Sequence, residues 1–303
     1  MRFRESGRLD TSSVQDRRGA GGGGGRGLAV GGGGLGLVGV IVLVLVQVLG
    51  GGGDASNVVG ALSGLSSGQT ADNGELEQSC QEVGDANAST ECAVVAEIDS
   101  IQDYWGQTLG ATYRPVDTVF FAGSVQTGCG GATSGSGPFY CPADELVYID
   151  LTFFDDLQSQ FGAEGGTFVN AYVLAHEYGH HVQDLLDTNA QVTPGETGPA
   201  SGSVRLELQA DCYAGVWAEH AETVPDETGA PLVTDITDDD IARALDTAGR
   251  IGDDFIQEDL GGGTVDQSSF THGSSEQRQR WFTAGYSSGD PNACDTFGTD
   301  DLG

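Results

Sequence analysis

The sequence predicts an α+β domain placed behind one membrane-spanning segment. Three observations carry this: an uncharged apolar run at Leu28–Leu49, short β-branched runs followed by helices in the remainder, and a helical stretch containing His-Glu-x-x-His at 176–180. A few strands followed by helices, with no regular alternation of the two, argue against a parallel doubly wound sheet.

Residues 1–27 hold six arginines against three acids, a net +3, and are rich in glycine. They read as a basic cytoplasmic tail. Leu28–Leu49 is 22 residues without a charge, long enough to cross a hydrocarbon core as a transmembrane signal anchor. Arginines precede it and acids dominate after it, so the positive-inside rule keeps the N-terminus in the cytoplasm and sends the rest across the cell membrane. A cleaved signal peptide is the alternative, but Leu49–Asn57 offers no convincing small-x-small site. Residues 50–75 then read as a flexible Gly/Ser/Asn linker, and residues 76–303 as the globular domain, an ordinary size for one core.

The 303-residue chain has a net charge of −33 and no lysine. Such an acidic surface excludes nucleic acid as a partner, and either disperses the protein or keeps it soluble in concentrated salt. Six cysteines fit a domain that oxidises after export. Sequence proximity favours Cys80 with Cys92 and Cys129 with Cys141, which leaves Cys212 with Cys294. None forms a Cys-x-x-Cys pair, so a thiolate zinc site is the weaker reading.

Within the domain, Val94, Val95, Ile98, Ile101, Tyr104, Trp105 and Leu109 recur at helical spacing and predict a helix over 91–109. Asp117–Ala122 and Glu145–Leu151 are strand candidates, separated by a Gly/Ser-rich loop. Either could hold an extended peptide by strand addition. The next helix runs from about Thr167, a plausible N-cap after Gly165 and Gly166, to Leu186. After a loop marked by Pro194, Gly195, Gly198, Pro199 and Gly202, a third helix spans about Ser203–Glu222. Capping-box spacing at Thr237–Asp240 introduces a fourth over Ile241–Arg250, and Ser274–Gln277 introduces a last one.

The second of these helices carries the chemistry. His176 and His180, four apart, lie on one helical face and can converge on one zinc ion, while Glu177 sits where it can take a proton from an activated water. Gly179 costs a helix interior about 1 kcal/mol relative to Ala, so another backbone or the substrate is expected to pass close there. A catalytic zinc needs a third protein ligand. Glu207, on the following helix, is the best candidate, and Asp211, four residues later on the same face, is placed to accept a hydrogen bond from a ligand imidazole. Glu219, His220 and His181 are the alternatives. His181 points to another side of its helix and reads as a surface or packing residue, and His220 as a solvated cation at a helix end.

His272 opens a polar block before the last helix. It is a candidate donor to a developing oxyanion, or else a helix-entry residue that organises the Ser274 cap; Tyr178 and Tyr213 could serve as the donor instead.

The Glu-x-x-Ala-Asp arrangement at 207–211 after His-Glu-x-x-His resembles the gluzincin branch of metallopeptidases. More specifically, the chain resembles a bacterial family of neutral zinc metallopeptidases. The likeness runs through Val14–Gly19, Phe139–Pro142 with Val147–Asp150, His176–Gln183, Arg205–Trp217, His272–Arg278 with Arg280–Phe282, and Gly289–Pro291 with Ala293–Phe297. The resemblance implies a zincin-like domain with an active-site helix beside a small sheet, one zinc ion on His176, His180 and Glu207, and endopeptidase activity on a peptide or protein substrate. Two rivals belong to other classes. A metal-binding module without turnover leaves Glu177 without a task, and a cell-surface interaction protein leaves the metal pattern unexplained.

Overall fold

The computed structural model describes residues 1–21 and 71–303. Its elements are β1 (Arg2–Phe3), β2 (Val14–Asp16), α1 (Gly74–Ser79), α2 (Thr90–Leu109), β3 (Thr118–Phe120), β4 (Ser124–Thr127), β5 (Gly130–Thr133), β6 (Phe139–Cys141), β7 (Leu146–Ile149), α3 (Phe153–Ser159), α4 (Thr167–Leu185), α5 (Gly202–His220), β8 (Val233–Asp235), α6 (Asp238–Arg250) and α7 (Ser275–Ser288). Mixed helix and small sheets match the α+β expectation. Among the described residues no helix is long and apolar enough to cross a membrane, and the run Leu28–Leu49 lies outside them.

The central sheet has the order β2-β3-β7-β6, with β2–β3 and β3–β7 parallel and β7–β6 antiparallel. The two predicted strands, β3 and β7, are therefore interior, each with both edges paired. Neither has a free edge for a peptide to add to, which corrects the expectation that one of them does; at the end of the sheet that faces α4, β6 is the edge. A hairpin of β4 and β5 covers one sheet face, where Val119, Phe121, Val125, Ala132, Phe139 and Tyr148 form a small separate core. The main core lies on the other side, around Trp105, Tyr172, Tyr178, Trp217 and Phe282. Helix α4 is at its centre and is buried almost all round. Only its ligand-bearing face opens to a cavity.

Local signals placed the helices well. Thr237 and Ser274 are the N-caps of α6 and α7, each with both bonds of its capping box. The N-cap of α4 is Gly166 at φ 135°, a conformation that favours glycine, and Thr167 is the first helical residue. The disulfides are Cys80–Cys92, Cys129–Cys141 and Cys212–Cys294, as sequence proximity suggested.

The N-terminal segment departs from its expected place. Residues 1–21 are not a tail separate from the domain: β1 pairs with β8, β2 forms one end of the central sheet, and Phe3, Leu9 and Val14 are buried in the main core. The globular unit thus takes in residues before 76. The physical reason is that isolated apolar residues on two- and three-residue strands produce no periodic signal, and their partners lie more than a hundred residues away.

Candidate metal centre

Helices α4 and α5 bring the chemistry together by packing closely. A methyl group at Gly179 would lie 3.0 Å from the Ala210 Cα and 3.2 Å from its carbonyl oxygen. The backbone expected near Gly179 is thus that of α5, which lets His176 and His180 meet Glu207 across the interface. Donor atoms of these three residues all lie within 4.8 Å of one another, the single cluster of its kind among the described residues.

The spacing tests the fit to zinc. His176 Nε2 lies 3.2 Å from Glu207 Oε2, and His180 Nε2 lies 3.4 Å from Glu207 Oε1. Two ligands bonded to a tetrahedral zinc stand roughly 3.3 Å apart, so each histidine Nε2 is already at that separation from one Glu207 oxygen. Tautomers point the same way. His176 Nδ1–H donates to Asp211 (2.9 Å) and His180 Nδ1–H donates to the Gln183 side-chain oxygen (2.8 Å). Each neutral ring then turns an Nε2 lone pair towards a carboxylate, which is repulsive unless a cation stands between them. The residues fit a zinc ion.

Electrostatics agree. Burial disfavours an imidazolium at His176, but Asp211 and Glu207 outweigh it and lift its pKa to about 10, so this pair of carboxylates favours a positive charge at the ring, which a proton supplies without a metal and a cation at Nε2 would supply in its place. Burial also opposes ionisation of Glu207, yet the facing histidines hold its pKa well below the usual carboxylate range.

Asp211 has the predicted place and more partners than predicted. Fully buried, it accepts from His176, from the Tyr172 hydroxyl at 2.7 Å, and from Arg278 Nε and Nη2 at 2.8 and 2.9 Å. Burial works against its charge, but Arg278 and His176 depress its pKa to about 2. This fork-to-fork pair fixes the acceptor that orients His176. Gln183 does the corresponding work for His180 and is itself held, donating to the Leu206 carbonyl at 2.7 Å. Sequence reasoning missed Arg278, Tyr172 and Gln183 as members of the site, although Gln183 follows His180 by three residues and Arg278 ends the block that His272 opens.

Glu177 faces the same cavity and accepts the Tyr140 backbone N–H at 3.0 Å. Burial raises its pKa to about 7, with Glu207 adding to the rise. The cavity is about 570 Å³ and is walled by His176, Glu177, His180, Glu207, His272 and Arg278 together with apolar side chains from β6, α3, α4 and α5.

His272 is brought to this cavity. Its Nδ1 is 3.2 Å from Asp253 Oδ1 and 3.0 Å from the Thr271 hydroxyl, while Nε2 is buried without a partner. Burial opposes its charge, but Asp253 and Glu207 raise its pKa. The Asp253 carboxylate also accepts the backbone N–H groups of Thr271, His272 and Gly273, so the loop is fixed around it.

The alternatives are placed elsewhere. His181 is fully buried on the sheet side, with Nε2–H donating to the Arg114 carbonyl at 2.7 Å. His220 donates to the Gly289 carbonyl and stacks on Tyr104, beside Glu219. The Tyr178 hydroxyl meets Thr118 at 2.9 Å, and the Tyr213 ring packs on Trp105.

A family model described as "Putative neutral zinc metallopeptidase" matches residues 1–297. An uncharacterized protein of Mycobacterium bovis, Mb2605, is 50% identical over 225 residues, or 74% of this chain and 76% of that protein. YpfJ of Escherichia coli K12, also uncharacterized, is 42% identical over 246 residues, or 78% and 80%. No solved structure matches the chain. With a zinc-type donor set at the heart of a match that runs nearly end to end, the chain belongs to this family of zinc metallopeptidases.

Proposed function

We propose that the protein is an extracytoplasmic zinc endopeptidase. The convergence of donor atoms of His176, His180 and Glu207 to within 4.8 Å of one another, with Glu177 beside them in a cavity, carries this reading. Three disulfides support an oxidising compartment.

His176, His180 and Glu207 hold one zinc ion, with Asp211 and Gln183 fixing the two rings. When bound, the ion lowers the pKa of a coordinated water towards 7 and polarises the scissile carbonyl. Glu177, its carboxylate aimed by the Tyr140 N–H, takes the proton of the attacking water and delivers it to the departing amine. No covalent bond to the chain forms. His272, whose Nδ1 faces Asp253, presents Nε2–H to the carbonyl oxygen as charge develops there. The substrate peptide lies along β6, whose Phe139 and Tyr140 line the cavity. Phe153, Phe161, Val173, Leu206 and Ile256 complete an apolar wall that suits a bulky apolar side chain next to the scissile bond.

The test is Glu177→Gln, with zinc content and cleavage of a mixed peptide library measured in parallel. The expected result is full zinc occupancy with no chelator-sensitive cleavage; turnover by the variant at the parent rate excludes this mechanism.

A further inference from the structure

Residues that precede and follow 22–70 in the chain meet at the β2 end of the sheet. Asp16, in β2, donates its backbone N–H to the Asn73 side chain at 2.8 Å and accepts the Asp72 N–H at 2.8 Å, while the Asn73 amide donates to the Val14 carbonyl. Residues before and after the apolar run Leu28–Leu49 are therefore hydrogen-bonded to one another.

The segment before that run is bound along its length. The Phe3 N–H donates to the Asn87 side chain, the Leu9 N–H to the Gln81 carbonyl, the Thr118 N–H to the Ser13 carbonyl and the Arg17 N–H to the Phe120 carbonyl. Phe3, Leu9 and Val14 are each 3% exposed or less.

A single crossing between residues 22 and 70 would put Asp16 and Asp72 on opposite sides of a hydrocarbon core of about 30 Å. The six residues from 16 to 22, fully extended, reach only about 20 Å. One crossing and the observed pairing exclude each other.

We propose that residues 1–21 lie on the same side of the membrane as residues 71–303. The proposal rests on the sequence reading that Leu28–Leu49 partitions into lipid, not on peptidase activity. It replaces a cytoplasmic N-terminus with one that shares the domain's compartment.

Single cysteines test this in the full chain expressed in bacteria. All six native cysteines are in disulfides, so an added thiol is the reactive one. Ser12→Cys reports on the N-terminal segment and Ser287→Cys on α7, both at exposed positions; Glu5→Cys, also exposed, repeats the first measurement should Ser12→Cys fail to accumulate. Spheroplasts are treated with a membrane-impermeant maleimide before and after detergent, and membranes are washed with alkaline carbonate. Expected are equal labelling of both sites without detergent and retention in the washed pellet. Protection of both sites until detergent is added supports the shared side while removing the extracytoplasmic reading. Labelling at 287 with protection at 12 and 5 overturns the shared side, and release by carbonate overturns the lipid reading on which the proposal rests.

Discussion

Replacing Gly179 with alanine separates helix propensity from helix packing at the metal centre. In an isolated helix the change should stabilise by about 1 kcal/mol. Here the new methyl would lie 3.0 Å from the Ala210 Cα and 3.2 Å from its Cβ, against an unstrained carbon–carbon contact of about 3.5–4.0 Å. Helices α4 and α5 must therefore part by roughly 0.5–1 Å. Overpacking of this kind costs about 1–3 kcal/mol, so the net change is a loss of up to about 2 kcal/mol. The metal centre is the more sensitive reporter, because His176 and His180 stand on one helix and Glu207 on the other. Their spacings of 3.2 and 3.4 Å would open towards 4 Å, too wide for three short bonds to one ion. Zinc affinity should fall roughly ten- to a hundredfold, the range seen when groups that orient zinc ligands are lost. Thermal unfolding of the metal-free protein and zinc competition against a chromophoric chelator measure the two effects. A raised Tm with unchanged zinc affinity would refute the reasoning.

Two further outcomes follow from the geometry of the metal centre and a third from Asp103 in α2. Asp211→Asn leaves the buried Arg278 guanidinium without its counter-charge, a loss of about 3–5 kcal/mol, and should weaken zinc binding about ten- to a hundredfold; denaturant unfolding and chelator competition read the two. His272→Ala should lower kcat by about 10²–10³ with KM and zinc content little changed, as loss of an oxyanion donor does; steady-state kinetics on one peptide show the split. Asp103→Asn should stabilise the protein at neutral pH. Burial, then Asp226 and Glu227, raise the Asp103 pKa to about 6, above that of the unfolded chain, so stability falls as pH rises from about 4 through 6 and stays lower beyond. The half-buried site is partly screened, which leaves a gain of about 1 kcal/mol at pH 7.5 that vanishes near pH 4, checked by Tm against pH for both proteins.

What was legible in the sequence was mostly what lies close together along the chain: helices and their caps, the two β-branched runs that form β3 and β7, and the short-loop disulfides. His176, Glu177 and His180 lie within one turn and a half, Glu207 and Asp211 within another, and the boxes at Thr237 and Ser274 within four residues. Helical periodicity therefore put His176 with His180, and Glu207 with Asp211, on shared faces, and the structure brings those faces together. The partners that make those donors usable are non-local. Arg278 reaches Asp211 from 67 residues away, and Tyr140 reaches Glu177 from 37. An arginine in a polar block looks the same to sequence reasoning whether it is solvated or buried against a carboxylate, because only packing removes the water. Strands suffer the same loss more severely. A three-residue strand such as Val14–Asp16 has no period to detect, and its partner Thr118–Phe120 lies a hundred residues on. Charge carried packing information that pattern did not: the six arginines read as a basic tail, yet Arg4 pairs with Asp226 and Arg18 with Asp16 and Glu91. In a chain this acidic, cations near the N-terminus add counter-charge for the domain's carboxylates. The positive-inside rule counts arginines as though all of them were left for the cytoplasmic side. Arg4 and Arg18 are engaged within the fold, so these two argue for packing before they argue for topology.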